Sequence, residues 1–172
     1  MKKPLKILLF CLTCIVFIGC DRVTKNLAKE HLMFHEPITY LNNTVRLEYA
    51  ENTGAALSLG DNLSPTVGFI VLSILPLIFM IGLSAYVITK ITDFSRIKLL
   101  ALSLIVAGGF GNLIDRLLYD RHVTDFMNVG ISSLRTGIFN VADLCVTTGV
   151  VILIFTYKKD KPASAEAMVP EA

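Results

Sequence analysis

Four stretches of the chain are apolar enough to be read as membrane helices. Residues 63–89 carry no charged side chain, and Pro76 within them predicts a bend, because proline removes a helical hydrogen bond. Residues 99–114 form a second uncharged run, ending at Asp115 and Arg116. Residues 137–157 form a third, interrupted by Asp143 alone. Residues 7–20 are a shorter run leading into Asp21, and the stem of Lys6 is long enough to snorkel from its start to the interface. About 20 apolar residues cross a ~30 Å hydrocarbon core, so the pattern predicts an all-α membrane protein with four transmembrane helices. Between the first two spans, "PITYLNNTVRLEYAENTGAALSLG" alternates β-branched and aromatic residues around Asn42-Asn43. That predicts a small extracytoplasmic β-structure, a hairpin or short sheet lying on the membrane, with a turn at Asn52-Thr53-Gly54.

Basic residues orient the spans. Lys2, Lys3 and Lys6 precede the first; Lys90, Arg96 and Lys98 lie between the second and third; Lys158, Lys159 and Lys161 follow the fourth. Short basic loops stay in the cytoplasm, so both termini are expected inside and residues 21–62 and 115–137 outside. Residues 1–161 read as a single integral membrane domain and 162–172 as a disordered cytoplasmic tail.

Composition agrees with a membrane chain. Of 172 residues, 53% are hydrophobic and 17% charged, against roughly 25% charged in soluble domains. A net charge of +2 with no basic cluster among aromatics excludes nucleic acid as a partner. Cys11, Cys14, Cys20 and Cys145 all lie in membrane-like sequence, with neither a disulfide pattern nor zinc spacing. His31 and His35 are four apart, but Leu32 stands where a zinc protease helix carries glutamate, so they read as loop or helix-surface residues and no metal is expected. "VFIGC" at 16–20 looks like the end of a lipoprotein export signal. Three further apolar runs, however, argue for a first span that stays in place.

Ionisable and amide side chains inside a membrane are costly and mark function by default. Gly108, Asn112, Asp115 and Arg116 recur at helical spacing on one face, the glycine allowing a neighbouring helix close. Asn140, Asp143 and Thr147 share another. Taken singly, most read as caps or interhelical hydrogen bonds, and Asp115-Arg116 as a neighbouring support pair. Asp143 resists that reading, since no basic residue is near it in sequence. If Asp125 and Asp143 meet at the outer level, one proton is shared and the pair supplies one acid and one base, which can activate water against an amide. Asp21 and Lys25 end the first run at the same level. The alternatives are a small proton-coupled carrier using Asp115, Asp125 and Asp143 as a relay, and a non-catalytic lipoprotein or adaptor.

Five motifs in order, Asp21-x-x-x-Lys25, "NTGAALS" at 52–58, "GGFGNLIDR" at 108–116, "VTDF" at 123–126 and "FNVAD" at 139–143, resemble the lipoprotein signal peptidases (signal peptidase II), bacterial aspartyl proteases of the inner membrane. The resemblance implies a catalytic dyad of Asp125 and Asp143. It implies that Asn112, Arg116 and Asn140 position substrate or the aspartates, and that Asn52 and Gly54 belong to a β-structure cradling the substrate. Asp21 and Lys25 would hold the first helix to the assembly. The implied substrate is a diacylglyceryl-prolipoprotein, cut before its lipidated cysteine near the outer face, by a monomer in contact with membrane lipid and with no cofactor. Arg22, Leu57 and Leu144 depart from the family's usual glutamine, phenylalanine and small residue, and the chain has no tryptophan.

Overall fold

The computed structural model describes residues 2–54, 60 and 62–159. The tail expected to be disordered and residues 55–58 of the second motif lie outside the described residues.

Helix α1 (Lys3–Leu32) runs unbroken through Gly19 and Cys20, with Cys20 exposed. Leu8, Leu12 and Ile15 are more than half exposed, as suits a surface that lipid covers. Lys6 does not snorkel outward. It is buried, and its ammonium donates to the carbonyls of Ile91 (3.1 Å), Thr92 (2.9 Å) and Phe94 (2.6 Å), pinning α1 to the turn that joins the next two long helices.

The second apolar run folds as α2 (Pro65–Phe69), a π-helical turn at Ile70–Ile74, and α3 (Leu75–Thr89). Ser64 caps its start, accepting from the Val67 amide, with Pro65 at the first helical position. Pro76 cannot donate to the preceding turn, and the widened turn sits just upstream of it. Helix α4 (Arg96–Leu118), capped by Ser95, is the most enclosed. Phe10, Val87, Ile91, Leu99, Leu102 and Val106 form the core joining α1, α3 and α4. On its other side α4 lies against α5 (Val141–Lys159) at small residues. A Cβ on Gly108 would stand 2.3 Å from the Ala142 carbonyl oxygen, so nothing larger than glycine fits that crossing.

Three helical segments, Lys3–Leu32, Pro65–Thr89 and Arg96–Leu118, are long and apolar enough to cross a membrane. The fourth expected run is shorter as a helix. Residues 137–140 are not helical, and the apolar part of α5, Val141–Thr156, reaches only about 24 Å at 1.5 Å per residue.

A four-stranded antiparallel sheet, ordered β1 (Ile38–Tyr40), β2 (Val45–Asn52), β3 (Val123–Ile131) and β4 (Leu134–Arg135), covers one end of the helices. The turn expected at Asn42-Asn43 joins β1 to β2, with Leu41, Asn42 and Asn43 all left-handed. Two of the four strands come from the segment between α4 and α5, so the sheet is not built from the first outward segment alone. Pairing of Ala50 with Asp125, past an irregularity after Leu47, sets the end of β2 beside the start of β3. Ala28 and Leu32 at the end of α1 pack beneath, against Phe126.

Candidate active site

Helix α5 begins with a reciprocal cap. The Asn140 side-chain oxygen accepts from the Asp143 amide at 3.0 Å, and the Asp143 carboxylate accepts from the Asn140 amide at 3.1 Å. Asp143 therefore sits in the first turn, not six residues inside a span. The residues before it, apolar in sequence, are strand-like: Phe139 pairs through its backbone with Met127. The cap fixes the Asp143 carboxylate, which is left partly open to a cavity of about 790 Å³.

Asp125 reaches the same cavity from β3. It is 3% exposed, and its two oxygens accept from the amide groups of Asn140 (2.6 Å) and Asn52 (3.3 Å). Burial first, and the neighbouring Asp143 charge second, push the Asp125 carboxyl up to about 6; the two amide donors and Lys25 pull the other way. Asn112 completes the frame from α4. Its oxygen accepts from Lys25 (3.0 Å) and Asn140 (3.0 Å), so its amide nitrogen is left to donate to Asp143 at 2.8 Å. Lysine has no acceptor, and that fixes which way the Asn112 amide faces.

Behind these amides lies a buried charge cluster. Lys25 meets Asp21 at 2.7 Å and Asp115 at 2.9 Å. Asp21 accepts from the Ala142 amide (2.9 Å), one of the open N–H groups of the first turn of α5. Asp115 accepts from the Thr124 amide (3.3 Å), adjacent to Asp125, and pairs with Arg22. The cluster thus ties α1, α4, α5 and β3 to one point. Asp115 and Arg116 do not support each other as neighbours. Arg116 turns to the cavity and donates to the carbonyls of Thr53 and Gly54 at the end of β2.

The site residues expected from the sequence converge here: Asn52, Asn112, Arg116, Asp125 and Asp143 line the cavity, Asn140 is buried beside it and bonded to Asp125 and Asn112, Gly54 is an acceptor for Arg116, Asp21, Lys25 and Asp115 lie behind, and Gly108 is the spacer between α4 and α5. His31 and His35 are exposed and apart from it. Among the described residues no group of three His, Cys, Asp or Glu side chains is placed to hold a metal ion. Sequence reasoning missed Arg22, visible only as a departure from the family pattern, and Arg121, which no pattern marked.

A model of the family described as signal peptidase (SPase) II matches residues 13–158, which include every site residue named above. The chain belongs to the signal peptidase II family. A lipoprotein signal peptidase of Treponema denticola is 38% identical over 139 residues, covering 78% of this chain and 79% of the relative. One from Streptococcus pyogenes is 32% identical over 161 residues, covering 94% and 97%. Two solved structures of bacterial membrane enzymes share the fold, with TM-scores of 0.75 and 0.74 at 28% and 29% identity. They cover 95% and 88% of this chain, and the chain covers 93% and 94% of theirs. In this signal peptidase II chain the two carboxylates share one cavity but not one environment: Asp125 is enclosed and Asp143 is partly open.

Proposed function

We propose that this chain is an aspartyl endopeptidase that removes the signal peptide of diacylglyceryl-modified prolipoproteins, cutting before the lipidated cysteine. The observation that carries it is the meeting of Asp125 and Asp143 on one cavity wall in unequal surroundings. Two close carboxylates do not both ionise cheaply, so the pair shares one proton, and burial beside the Asp143 charge raises the Asp125 carboxyl and favours it as the holder of that proton. Asp143 then takes a proton from a water as its oxygen attacks the scissile carbonyl carbon. Asp125 gives its proton to the carbonyl oxygen; Asp143 then passes the proton taken from water to the amide nitrogen as the C–N bond breaks, and Asp125 recovers a proton from the collapsing diol. Asn112, Asn140 and Asn52 hold both carboxylates in place.

The Lys and Arg bias supports a multi-pass arrangement in the bacterial inner membrane with both termini cytoplasmic and the sheet and cavity near the outer face. In that arrangement α5 is the fourth span, and its short apolar length sets Asp143 close to the interface. A substrate held by two acyl chains, each buried CH2 contributing about 0.8 kcal/mol, brings its scissile amide to that depth. Family membership favours hydrolysis over a proton-coupled carrier.

The test uses purified protein and one prolipoprotein prepared with and without its diacylglyceryl group. The lipidated form should be cleaved far faster, and Asp125→Asn and Asp143→Asn should each abolish cleavage while remaining folded. Substantial turnover by either variant would sink the dyad; equal rates on both substrates would remove lipid recognition.

A further inference from the structure

The turn between α4 and β3 carries a feature that the dyad does not use. Asp120 and Arg121 are consecutive left-handed residues, with φ of 48° and 70°, a conformation that strains non-glycine residues. The turn aims the Arg121 side chain back into the molecule, where it is buried. One guanidinium nitrogen donates to the Pro65 carbonyl and the other to the Thr53 carbonyl, each at 3.4 Å. The group lies against Gly68: a Cβ there would stand 2.0 Å from Arg121 Nη1. A cation at the start of a helix opposes the helix dipole, so helix electrostatics do not account for this placement.

The Thr53 carbonyl also accepts from Arg116 at 3.5 Å. Arg116 and Arg121 bond to each other through the Arg121 amide on the Arg116 carbonyl (2.9 Å) and the Arg116 guanidinium on the Arg121 carbonyl (3.4 Å). Two like charges are thereby held side by side at the end of β2, one residue from Asn52, whose amide donates to Asp125.

We propose that Arg121 is a positioning residue for the reaction: it fastens the end of β2 to the start of α2, and through β2 it holds the Asn52 donor on Asp125. The inference rests on the aspartyl reading above. Asp125 is faced by Asp143 from α5, Lys25 from α1, Arg116 from α4 and Glu51 on the cavity's β2 wall. All four remain when Arg121 is changed. A loosened Asn52 donor favours the neutral carboxyl, and the lost cation acts in the same direction, so Asp125 keeps its proton to higher pH.

The experiment is kcat/KM against pH on lipidated prolipoprotein for wild type, Arg121→Gln, Gly68→Ala, Asn52→Ala and the Asn52→Ala/Arg121→Gln double variant. Arg121→Gln should lower kcat/KM about tenfold, the worth of one hydrogen bond to a charged acceptor, and move the basic limb upward. Gly68→Ala evicts the guanidinium from the other side, displacing only the tip of a flexible side chain, and should give the same shift in a folded protein. In the double variant, Arg121→Gln should add little to the loss from Asn52→Ala. A lower melting temperature with an unmoved limb, or full additivity with Asn52→Ala, overturns the proposal. If Asp125→Asn still cleaves, the aspartyl reading itself has failed; if Asp125→Asn is inactive and Arg121→Gln leaves the limb unmoved, only this inference has.

Discussion

Gly108→Ala tests whether the α4–α5 crossing sets the geometry of the site. The added Cβ would lie 2.3 Å from the Ala142 carbonyl oxygen, 2.8 Å from Val146 Cγ2 and 3.1 Å from the Val146 amide nitrogen. A carbon and a carbonyl oxygen settle at about 3.3–3.6 Å, so the helices must part by about 1 Å. The nearest obstacle is backbone, with no side-chain tip to swing aside. Asn112 is one turn along α4, and its 2.8 Å bond to Asp143 would open to about 3.8 Å, beyond hydrogen-bonding reach. A misplacement of about 1 Å costs on the order of 100-fold in rate. Stability should suffer less: overpacking costs about 1–3 kcal/mol, and alanine returns up to about 1 kcal/mol of helix propensity. The assay is kcat/KM on lipidated prolipoprotein beside the melting temperature in the same detergent. Gly82→Ala is the matched control, because nothing lies within 4 Å of its Cβ. Wild-type kcat/KM in Gly108→Ala, or an equal loss in Gly82→Ala, would refute the reasoning.

Two further outcomes follow from individual contacts. Wild-type kcat/KM should fall as pH rises through the region near 6 where Asp125 loses its proton; Asn52→Ala, by removing a donor that favours the charged form, should move that limb to higher pH, and an unmoved or lowered limb would contradict it. Lys6→Met should lower the melting temperature and leave the pH profile unchanged, since three carbonyls of the α3–α4 turn lose a charged donor worth about 1.5–3 kcal/mol per bond; an unchanged melting temperature would show that the turn holds itself.

The parts of the fold that obey a single period were legible in the sequence. The uncharged run through Pro76, the Asn42-Asn43 turn and the polar face of Gly108, Asn112 and Asp115 all fall where their spacing puts them. Asp143 was misjudged for a physical reason. Residues 137–139 are as apolar as a span, and only the Asn140–Asp143 cap shows where the helix begins. Strand β3 carried a signal that went unused: Val123, Thr124, Phe126, Val129 and Ile131 before Ser132-Ser133 is a β-branched and aromatic run closed by turn formers. Lys6 read as an interface anchor because sequence shows its stem but not the carbonyls it meets some 85 residues away. Arg121 was illegible, since its partners are backbone atoms of Thr53 and Pro65, which leave no trace in side-chain pattern.

The buried cluster around Lys25 also bears on how the chain is made. Two of the partners that stabilise Asp21 and Lys25 in the finished protein, Asp115 and the Ala142 amide, are synthesised about 90 to 120 residues later. At about 5–20 residues per second the first helix waits about 5 to 24 seconds for them. An isolated Asp or Lys costs an inserting helix about 2.5–3.5 kcal/mol at its centre and less toward the end of the apolar run, where Asp21 and Lys25 stand. Asp21 and Lys25 stand one turn apart and pair at 2.7 Å within α1 itself, so the helix enters the membrane with its two charges already neutralised. The same lysine that later orients Asn112 therefore serves first as its own helix's counter-ion, and it keeps that local pair when Asp115 joins the cluster.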